Sequence, residues 1–171
     1  MNNKFLFFFT EKPLKMIMLG FSSGLPILLV FSTLSVWLTK AGVERSTVTL
    51  FSWAGFAYAF KFLWSPLVDK VSIPFFLNLG HRRSWLLLTQ FLIIFSLVLT
   101  SVNDPQNNII ITAVCITLVA FFSATQDIII DAYRIESIDK KLQGSLSSMY
   151  IAGYRVGMLV GGAGSLWLAS Y

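Results

Sequence analysis

Five long apolar runs, each bounded by charged or turn-forming residues, dominate the pattern of hydrophobic and polar positions along the chain. A helix needs about 20 mostly apolar residues to cross a lipid bilayer, and each run has roughly that length. None of the runs alternates between apolar and polar residues as membrane-spanning strands do. The pattern therefore predicts an all-α membrane protein with five spanning helices, at about residues 14–37, 47–68, 85–102, 109–130 and 146–168.

Short polar segments separate the apolar runs, at residues 39–46, 69–84, 103–108 and 131–145. Residues 1–13 come before the first run, and their apolar stretch is too short for the core of a signal peptide. We therefore expect residues 1–13 to form a cytoplasmic lead that stays in the mature chain and lies on the membrane surface.

The composition is typical of a membrane protein and excludes a soluble one. Hydrophobic residues make up 56% of the 171 residues and charged residues 12%, with a mean hydropathy of +0.73. A soluble domain carries roughly 25% charged residues, and a disordered chain needs low hydrophobicity. The single cysteine, Cys115, permits no disulfide within the chain. In a membrane protein, an excess of basic residues sets the orientation of the chain across the bilayer. The net charge of +5 therefore does not indicate a nucleic-acid partner, and none is expected.

Basic residues lie mostly on one side of the predicted spans. If the N-terminus is cytoplasmic, only Lys40 and Arg45 lie on the outer side. The cytoplasmic side then holds nine basic residues: Lys4, Lys12, Lys15, Lys70, Arg82, Arg83, Arg134, Lys140 and Lys141. Because cytoplasmic loops carry an excess of Lys and Arg, this bias predicts a multi-pass protein with its N-terminus in the cytoplasm.

Two basic residues fall inside the predicted spans, where a charge is costly and usually marks function or an internal ion pair. Lys61 lies in the inner half of the second span, where its long side chain either reaches the headgroups or faces a polar cavity. Arg155 lies roughly 14 Å deep in the fifth span, at 1.5 Å per residue. A guanidinium at that depth requires a carboxylate, a group of carbonyls or an anionic ligand.

The fourth span ends in a charged motif on one helix face. Asp127, Asp131 and Arg134 are spaced i, i+4 and i+7, which places them on the same side of a helix. Asp127 is still within the membrane, and with Gln126 it is a candidate for a cavity that binds substrate or carries a proton. Asp131 belongs either to that cavity or, with Arg134 and Glu136, to a salt-bridge network at the membrane surface.

The first and fifth spans contain small residues at regular intervals. Gly20, Gly24 and Pro26 favour a flexible first span, like the interrupted helices that line substrate sites in transporters. A simple kink or close packing of helices explains the same residues equally well. In the fifth span, glycines spaced by four residues favour close packing of helix backbones: Gly153, Gly157 and Gly161.

No motif indicates catalysis, a metal site or a cofactor. The chain has no glycine loop of the nucleotide-binding type, no metal-binding spacing of His and Cys, and no nucleophile with a partner base. We therefore predict a protein that is not an enzyme and that uses neither a cofactor nor a metal ion.

Four blocks of sequence resemble, in this order, the AmpG family of the major facilitator superfamily: Gly20 to Pro26, Lys61 to Asp69, Gly80 to Trp85 and Ser123 to Arg134. The resemblance extends from about residue 12 to the end of the chain. Asp69 with Gly80, Arg82 and Arg83 is similar to the superfamily's signature between helices two and three, where a cytoplasmic charge relay helps to hold one face closed. The resemblance implies that residues 14–171 are the first five helices of an amino-terminal six-helix bundle.

The resemblance also implies a permease of the bacterial inner membrane. The AmpG family imports N-acetylglucosamine-anhydro-N-acetylmuramic acid disaccharides that carry peptides, which serves peptidoglycan recycling. Transport is expected to be proton-driven symport by alternating access, so the expected partners are the lipid bilayer, a muropeptide and a proton. The implied candidates for the cavity and for proton coupling are Lys61, Asp127, Asp131 and Arg155.

The superfamily has twelve helices in two bundles, whereas this sequence has five predicted spans. We therefore expect a fragment or a truncated product that needs a carboxy-terminal half for transport and is inactive alone. Two other interpretations stay open. One is a permease similar to the acetyl-coenzyme A transporters, and the other is a non-transporting fragment or one subunit of a split transporter.

Overall fold

The described parts of the chain are helical and contain no β-strand. The computed structural model describes residues 11–73, 80–137 and 142–171. Five successive helical units, called here the first to the fifth helix, occupy residues 11–40, 45–70, 81–102, 109–137 and 143–168. The predicted lead at residues 1–13 lies mostly outside the described residues, and Glu11 to Pro13 already belong to the first helix.

The first helix (Glu11–Lys40) is continuous but not uniform. An α-helix over Glu11–Leu28 passes into a π-helical turn at Leu29–Thr33 and returns to an α-helix over Leu34–Lys40. The π-helical turn begins shortly after Pro26, whose ring removes a backbone hydrogen-bond donor from the helix interior. The first helix therefore remains a single rod with one irregular turn near its middle.

The second helix is broken into short pieces. Three α-helical and two 3₁₀-helical pieces alternate along it: Arg45–Leu50, Phe51–Gly55, Phe56–Ala59, Lys61–Leu63 and Ser65–Lys70. Phe60, with φ −96° and ψ 8°, separates two of these pieces. Because a 3₁₀ turn has three residues per turn rather than 3.6, each change of helix type rotates the side chains that follow.

The third helix (His81–Val102) and the fourth helix (Ile109–Ser137) are long and pack along each other. The connection between them occupies the predicted residues 103–108. The fifth helix resembles the first, because an α-helix over Gln143–Leu159 leads into a π-helical turn at Val160–Gly164. A last α-helical turn follows at Ser165–Leu168.

Several helices extend beyond the apolar runs that predicted them. The fourth helix continues past Ile130 to Ser137, the second ends only at Lys70 and the third begins at His81. The predictions of polar connections at 69–84 and 131–145 were therefore too long. Hydropathy marks the part of a helix that lies in lipid, whereas its backbone hydrogen bonds continue unchanged into the polar region.

Three helices in the described residues are long and apolar enough to cross a membrane: Glu11–Lys40, His81–Val102 and Ile109–Glu136. Large apolar side chains cover their outer surfaces, such as Phe91 at 66% exposure and Ile110 at 76%. Such a surface suits a protein whose solvent is lipid. The chain is an all-α, multi-pass membrane protein, and membrane crossing by the second and fifth helices stays a prediction.

The fourth helix forms the centre of the bundle. Val119, Ala120 and Ala124 have no exposed surface, and the helix contacts the first, second and third helices. The fifth helix packs along most of the length of the first helix, and its Leu146 and Tyr150 share a buried cluster with Ile130 of the fourth helix. The charged end of the fourth helix therefore begins at the buried Asp127 and becomes more exposed towards Asp131 and Glu136.

Candidate functional site

A lysine and two aspartates meet inside the bundle. Lys61 Nζ lies 3.6 Å from Asp127 Oδ2 and 4.0 Å from Asp131 Oδ2. The side chain of Asp127 is 12% exposed, whereas that of Asp131 is 42% exposed. One ammonium group therefore faces two carboxylates, one enclosed and one open. Of the two alternatives for Lys61, the structure favours a side chain that faces the interior of the bundle over one that reaches the lipid headgroups.

Two features of the helices bring these three side chains together. The fourth helix places Asp127 and Asp131 one turn apart on one face, as their spacing predicts. On the second helix, the interruption at Phe60 is followed by the 3₁₀ turn Lys61–Leu63, which begins at the lysine itself. A charged group at this depth is stabilised only if it meets a counter-charge, and the two carboxylates supply it.

Ser23 and Tyr150 complete the surroundings of Asp127, and the sequence analysis did not single out either residue. Ser23, on the first helix, donates a hydrogen bond from its hydroxyl group to Asp127 Oδ1. Tyr150, on the fifth helix, donates from its hydroxyl group to Ser23 Oγ over 3.0 Å. This chain of hydrogen bonds connects the fifth, first and fourth helices at the buried carboxylate. Serine and tyrosine are common in apolar spans, so no pattern in the sequence marks these two.

Arg134 connects the open carboxylate to the fifth helix. Its Nη2 atom lies 3.2 Å from Asp131 Oδ1, and its Cζ atom lies 5.0 Å from the centre of the Tyr150 ring. A guanidinium over an aromatic face is attracted by the negative charge of the ring. Asp131 therefore contacts Lys61 of the predicted cavity and Arg134 of the predicted salt-bridge network, and its role stays a prediction. We call Lys61, Asp127, Asp131 and Arg134 the central charge cluster.

Gln126 is buried, with 1% exposure, and lies next to this cluster rather than in an open cavity. Its Nε2 atom donates to the backbone oxygen of Ser22 over 3.1 Å and to Ser22 Oγ over 2.9 Å. Gln90, on the third helix, donates to the same hydroxyl oxygen over 3.2 Å. Gln126 therefore joins the fourth helix to the first helix, and its predicted contact with substrate stays a prediction.

Gly20 and Gly24 are packing residues in this structure. A Cβ atom at Gly20 would overlap the backbone oxygen of Tyr150, and one at Gly24 would overlap that of Tyr154. The α-helix continues through both glycines and through Pro26 up to Leu28. Of the alternatives for these residues, the structure favours close packing of helices over a flexible, interrupted helix.

The glycines of the fifth helix make the reciprocal contacts. Added Cβ atoms there would overlap backbone oxygens of the first helix, at Ile17 for Gly153, at Phe21 for Gly157 and at Leu25 for Gly161. Residue numbers rise together along both helices, so the two helices run parallel. The packing predicted for the four-residue glycine spacing is therefore present, and we call this contact the glycine seam.

Arg155 lies on the opposite side of the fifth helix from the glycine seam. Its side chain is exposed, and within residues 11–73, 80–137 and 142–171 it forms no ion pair. The expected internal partner is therefore not a described carboxylate. The other two alternatives, a group of carbonyls or an anionic ligand, stay predictions.

A second group of charges lies where the second and third helices meet the end of the fourth. Arg82 Nη1 lies 2.6 Å from Asp69 Oδ1, and Arg82 Nη2 lies 2.5 Å from Glu136 Oε1. Glu136 therefore pairs with Arg82 and not with Arg134, which pairs with Asp131. Gly80 precedes the third helix with φ +87°, a conformation that favours glycine. Asp69 and Arg82 thus form an ion pair, Gly80 directly precedes the third helix and Arg83 is exposed, whereas their role as a gate stays a prediction.

The central charge cluster contains no metal site by composition. In the described parts of the chain, no three His, Cys, Asp or Glu side chains lie together as metal binding would require. The cluster instead combines two cations and two carboxylates, and the hydroxyl groups of Ser23 and Tyr150 lie beside it. Such groups can exchange a proton and respond to it by changing ion-pair partners. These features define a multi-pass membrane protein with ionisable groups in its interior.

Comparisons with known proteins show similarity to proteins that are named as transporters. A family model described as "Acetyl-coenzyme A transporter 1" matches residues 14–170. The chain is 42% identical over 151 residues to "Putative transporter AmpG 4" of Rickettsia felis, covering 88% of this chain and 36% of that relative. It is 41% identical over 154 residues to "Anhydromuropeptide permease" of Escherichia coli K12, covering 90% of this chain and 31% of that relative. No solved structure matches the chain.

The chain belongs to the acetyl-coenzyme A transporter 1 family. The resemblance to AmpG proteins that the sequence blocks indicated is confirmed by these relatives. The chain spans about a third of the length of the curated relatives that it matches.

Proposed function

We propose that this chain forms part of the amino-terminal bundle of a proton-driven permease that imports anhydromuropeptides across the bacterial inner membrane. The name of the Escherichia coli relative supports the substrate class. The excess of basic residues supports a cytoplasmic N-terminus. The proposed transport requires a second bundle to complete the pathway, and the proposal includes no catalytic step.

The observation that carries the proposal is the single ammonium group of Lys61 between Asp127 and Asp131. When Asp127 takes up a proton, its attraction to Lys61 disappears and the ammonium group is left to Asp131. Asp131 is the more exposed carboxylate, so the shift moves positive charge towards the open side of the cluster. Loading a proton on Asp127 thereby changes the contacts between the second and fourth helices.

Ser23 and Tyr150 extend this effect to the other helices. Ser23 donates to Asp127 Oδ1, so a proton on that oxygen turns it from an acceptor into a donor and reverses this hydrogen bond. Tyr150 hydrogen-bonds to Ser23 and also lies under Arg134. We propose that this chain of contacts transmits the protonation state of Asp127 to the first and fifth helices.

Arg155 is the proposed contact for the anionic groups of the solute. It is exposed, and no described carboxylate occupies it. A guanidinium binds a carboxylate through paired hydrogen bonds, and the peptide of a muropeptide ends in carboxylates. At the ends of the helices, Arg82 between Asp69 and Glu136 is the proposed latch of the closed state.

A permease for acetyl-coenzyme A is the second candidate, because the matching family model carries that description. Both solutes are anionic, so Arg155 would suit either one. A third candidate is one subunit of a split transporter. Competition for uptake by an anhydromuropeptide or by acetyl-coenzyme A separates the first two candidates.

The test uses a chimera of the Escherichia coli permease in which this chain replaces its matching segment. We expect cells with the chimera to take up labelled anhydromuropeptide, and Asp127→Asn to abolish uptake against a gradient because the neutral amide cannot carry the proton. Asp104→Asn, the same change in the loop 103–108, is the matched control and leaves uptake unchanged. Membrane insertion of each variant is measured in parallel.

Two outcomes would contradict the proposal. Uptake by Asp127→Asn that equals the parent's at several pH values would exclude Asp127 as the proton carrier. Inhibition of the chimera by acetyl-coenzyme A, with no uptake of anhydromuropeptide, would favour the second candidate.

A further inference from the structure

A cavity of about 320 Å³ lies between the first, third and fourth helices, apart from the central charge cluster. Its walls are apolar side chains from all three helices: Met18, Leu19, Leu86, Ile129 and Ile130. Met18 is 64% exposed, so the cavity opens to the outer surface of the bundle rather than to the interior. Lipid is the solvent at that surface.

The rim of the cavity is basic. Lys15, Arg82 and Arg83 line it together with Tyr133, and all three cations lie near the N-terminal ends of their helices. The cavity therefore sits at the depth where the first and third helices leave the hydrocarbon region. Lipid headgroups occupy that depth in a bilayer.

Two of the three cations already have carboxylate partners. Arg82 pairs with Asp69 and Glu136, and Lys15 Nζ lies 2.7 Å from Glu11 Oε2. The pair of Lys15 and Glu11 is an exposed contact between neighbouring turns, which holds the lysine weakly. Arg83 is exposed and forms no ion pair with any described carboxylate. At the rim, Arg83 is therefore available to bind an added anion, and Lys15 becomes available after a small movement.

We propose that this cavity binds one anionic phospholipid. The apolar wall accommodates the upper part of an acyl chain, and the phosphate lies against Arg83 and Lys15. Basic pockets between membrane helices bind anionic headgroups in the same way, through charge above an apolar surface. A free phosphate ion would leave the apolar wall without a partner, and a neutral lipid would leave Arg83 without one. The charge and the wall together therefore select an anionic lipid.

The test measures lipid retention by the purified full chain with native mass spectrometry. Phosphatidylglycerol is compared with phosphatidylcholine of the same acyl chains, at several lipid concentrations. We expect retention of one phosphatidylglycerol in clear preference to phosphatidylcholine. Arg83→Gln should weaken retention of phosphatidylglycerol by about fivefold, the usual effect of one basic residue at a charged lipid surface.

Two further variants distinguish binding in this cavity from general electrostatic attraction between the protein and an anionic lipid. Lys40→Gln removes an exposed charge at the other end of the first helix and should leave retention unchanged. Met18→Trp fills the exposed mouth of the cavity without entering the core, so it should reduce retention of phosphatidylglycerol while the helical circular dichroism stays the same.

Three results would overturn the proposal. Equal retention of the two lipids by the parent chain would show no selection by charge. Equal weakening of phosphatidylglycerol retention by Arg83→Gln and Lys40→Gln would show general electrostatic attraction rather than binding at this cavity. Displacement of phosphatidylglycerol by inorganic phosphate at equal concentration would show an ion site rather than a lipid site. None of these results depends on which solute is transported.

Discussion

Asp127 is the residue at which the contacts of four helices meet. Lys61 from the second helix and Ser23 from the first bind its two oxygens, and Tyr150 from the fifth binds Ser23. Burying a charged group costs free energy unless partners replace the water that it loses. These partners stabilise the charged carboxylate in the interior. Through them, a change in its charge also alters the contacts between neighbouring helices.

Removal of Lys61 should destabilise the bundle because it leaves two carboxylates without their shared cation. We expect Lys61→Gln to lower the free energy of unfolding by about 1–3 kcal/mol. The double variant Lys61→Gln with Asp127→Asn should recover part of that loss, because the buried charge is then removed as well. Unfolding of the purified chain in detergent, followed by circular dichroism, measures both.

Arg155→Gln is the matched control for this prediction, since it also removes one cation from a predicted span. Arg155 forms no ion pair with a described residue. The free energy of unfolding of Arg155→Gln should therefore differ from the parent's by less than about 0.5 kcal/mol. If Lys61→Gln were as stable as the parent, or if the double variant were no better than the single one, the cluster would not contribute as described.

At this scale the sequence predicted the charged residues but not their hydrogen-bonding partners. Lys61 and Asp127 stand out because charge is rare in apolar runs, and one helix face for Asp127 and Asp131 follows from their spacing. Ser23 and Tyr150 carry no such mark. The partner of Glu136 was not predictable either, because Arg82 is distant in sequence and reaches it only through the packing of the third helix.

At the scale of helices, the glycine seam brings the first and fifth helices closer than side chains normally allow. Backbone oxygens of each helix occupy the space that a Cβ atom would need on the other, as at Gly20 and Gly153. Membrane helices gain little from apolar burial against one another, because lipid is equally apolar, so close backbone contact is a main source of their association. The seam also holds Tyr150 near Ser23.

Gly20→Ala should therefore separate the two helices. The added methyl group meets the backbone oxygen of Tyr150, which cannot rotate away as a side chain can. We expect a loss of about 1–3 kcal/mol in the free energy of unfolding, the usual cost of overpacking. The measurement is the unfolding transition of the purified chain in detergent.

Gly144→Ala is the matched control on the fifth helix. Nothing lies within 4 Å of an added Cβ atom there, so alanine should be neutral or stabilise the helix by up to about 1 kcal/mol. Equal stability of Gly20→Ala and the parent would mean that the seam opens without cost.

Helix positions were predictable from hydropathy, whereas helix ends and interruptions were not. The apolar runs placed all five helices, but the fourth continues to Ser137 because polar residues sustain a helix outside lipid. The interruption at Phe60 was not predictable, because neither glycine nor proline stands at Phe60 or Lys61. The pieces of the second helix on both sides of Phe60 pack against the fourth helix.

At the scale of the whole molecule, charge is distributed unevenly between the two ends of the bundle. The pairs of Arg82 with Asp69 and Glu136 hold the second, third and fourth helices together at one end. At the other end, Gln106 of the loop 103–108 donates a hydrogen bond to the backbone oxygen of Ala41. The proposed orientation puts the Arg82 end in the cytoplasm.

Cysteine labelling tests this orientation. Cys115 is the one native cysteine and is only 5% exposed, so it gives a low background. We expect Asn108→Cys in intact cells to react with a membrane-impermeant maleimide, and Lys70→Cys to react only after the membrane is opened. Both positions are exposed. Labelling of Lys70→Cys but not Asn108→Cys in intact cells would reverse the orientation.

The glycine seam has a consequence for the order in which the chain is assembled during translation. Tyr150 lies 127 residues after Ser23, so the first helix leaves the ribosome long before its partner exists. Until then the glycine-lined face of the first helix contacts acyl chains or the insertion machinery. The third and fourth helices, adjacent in sequence, can associate in the meantime. Among the described contacts of the first helix, those with the fifth helix are thus the latest to form. In nascent chains arrested before residue 150, a photo-crosslinking residue placed at Gly20 should therefore react with lipid.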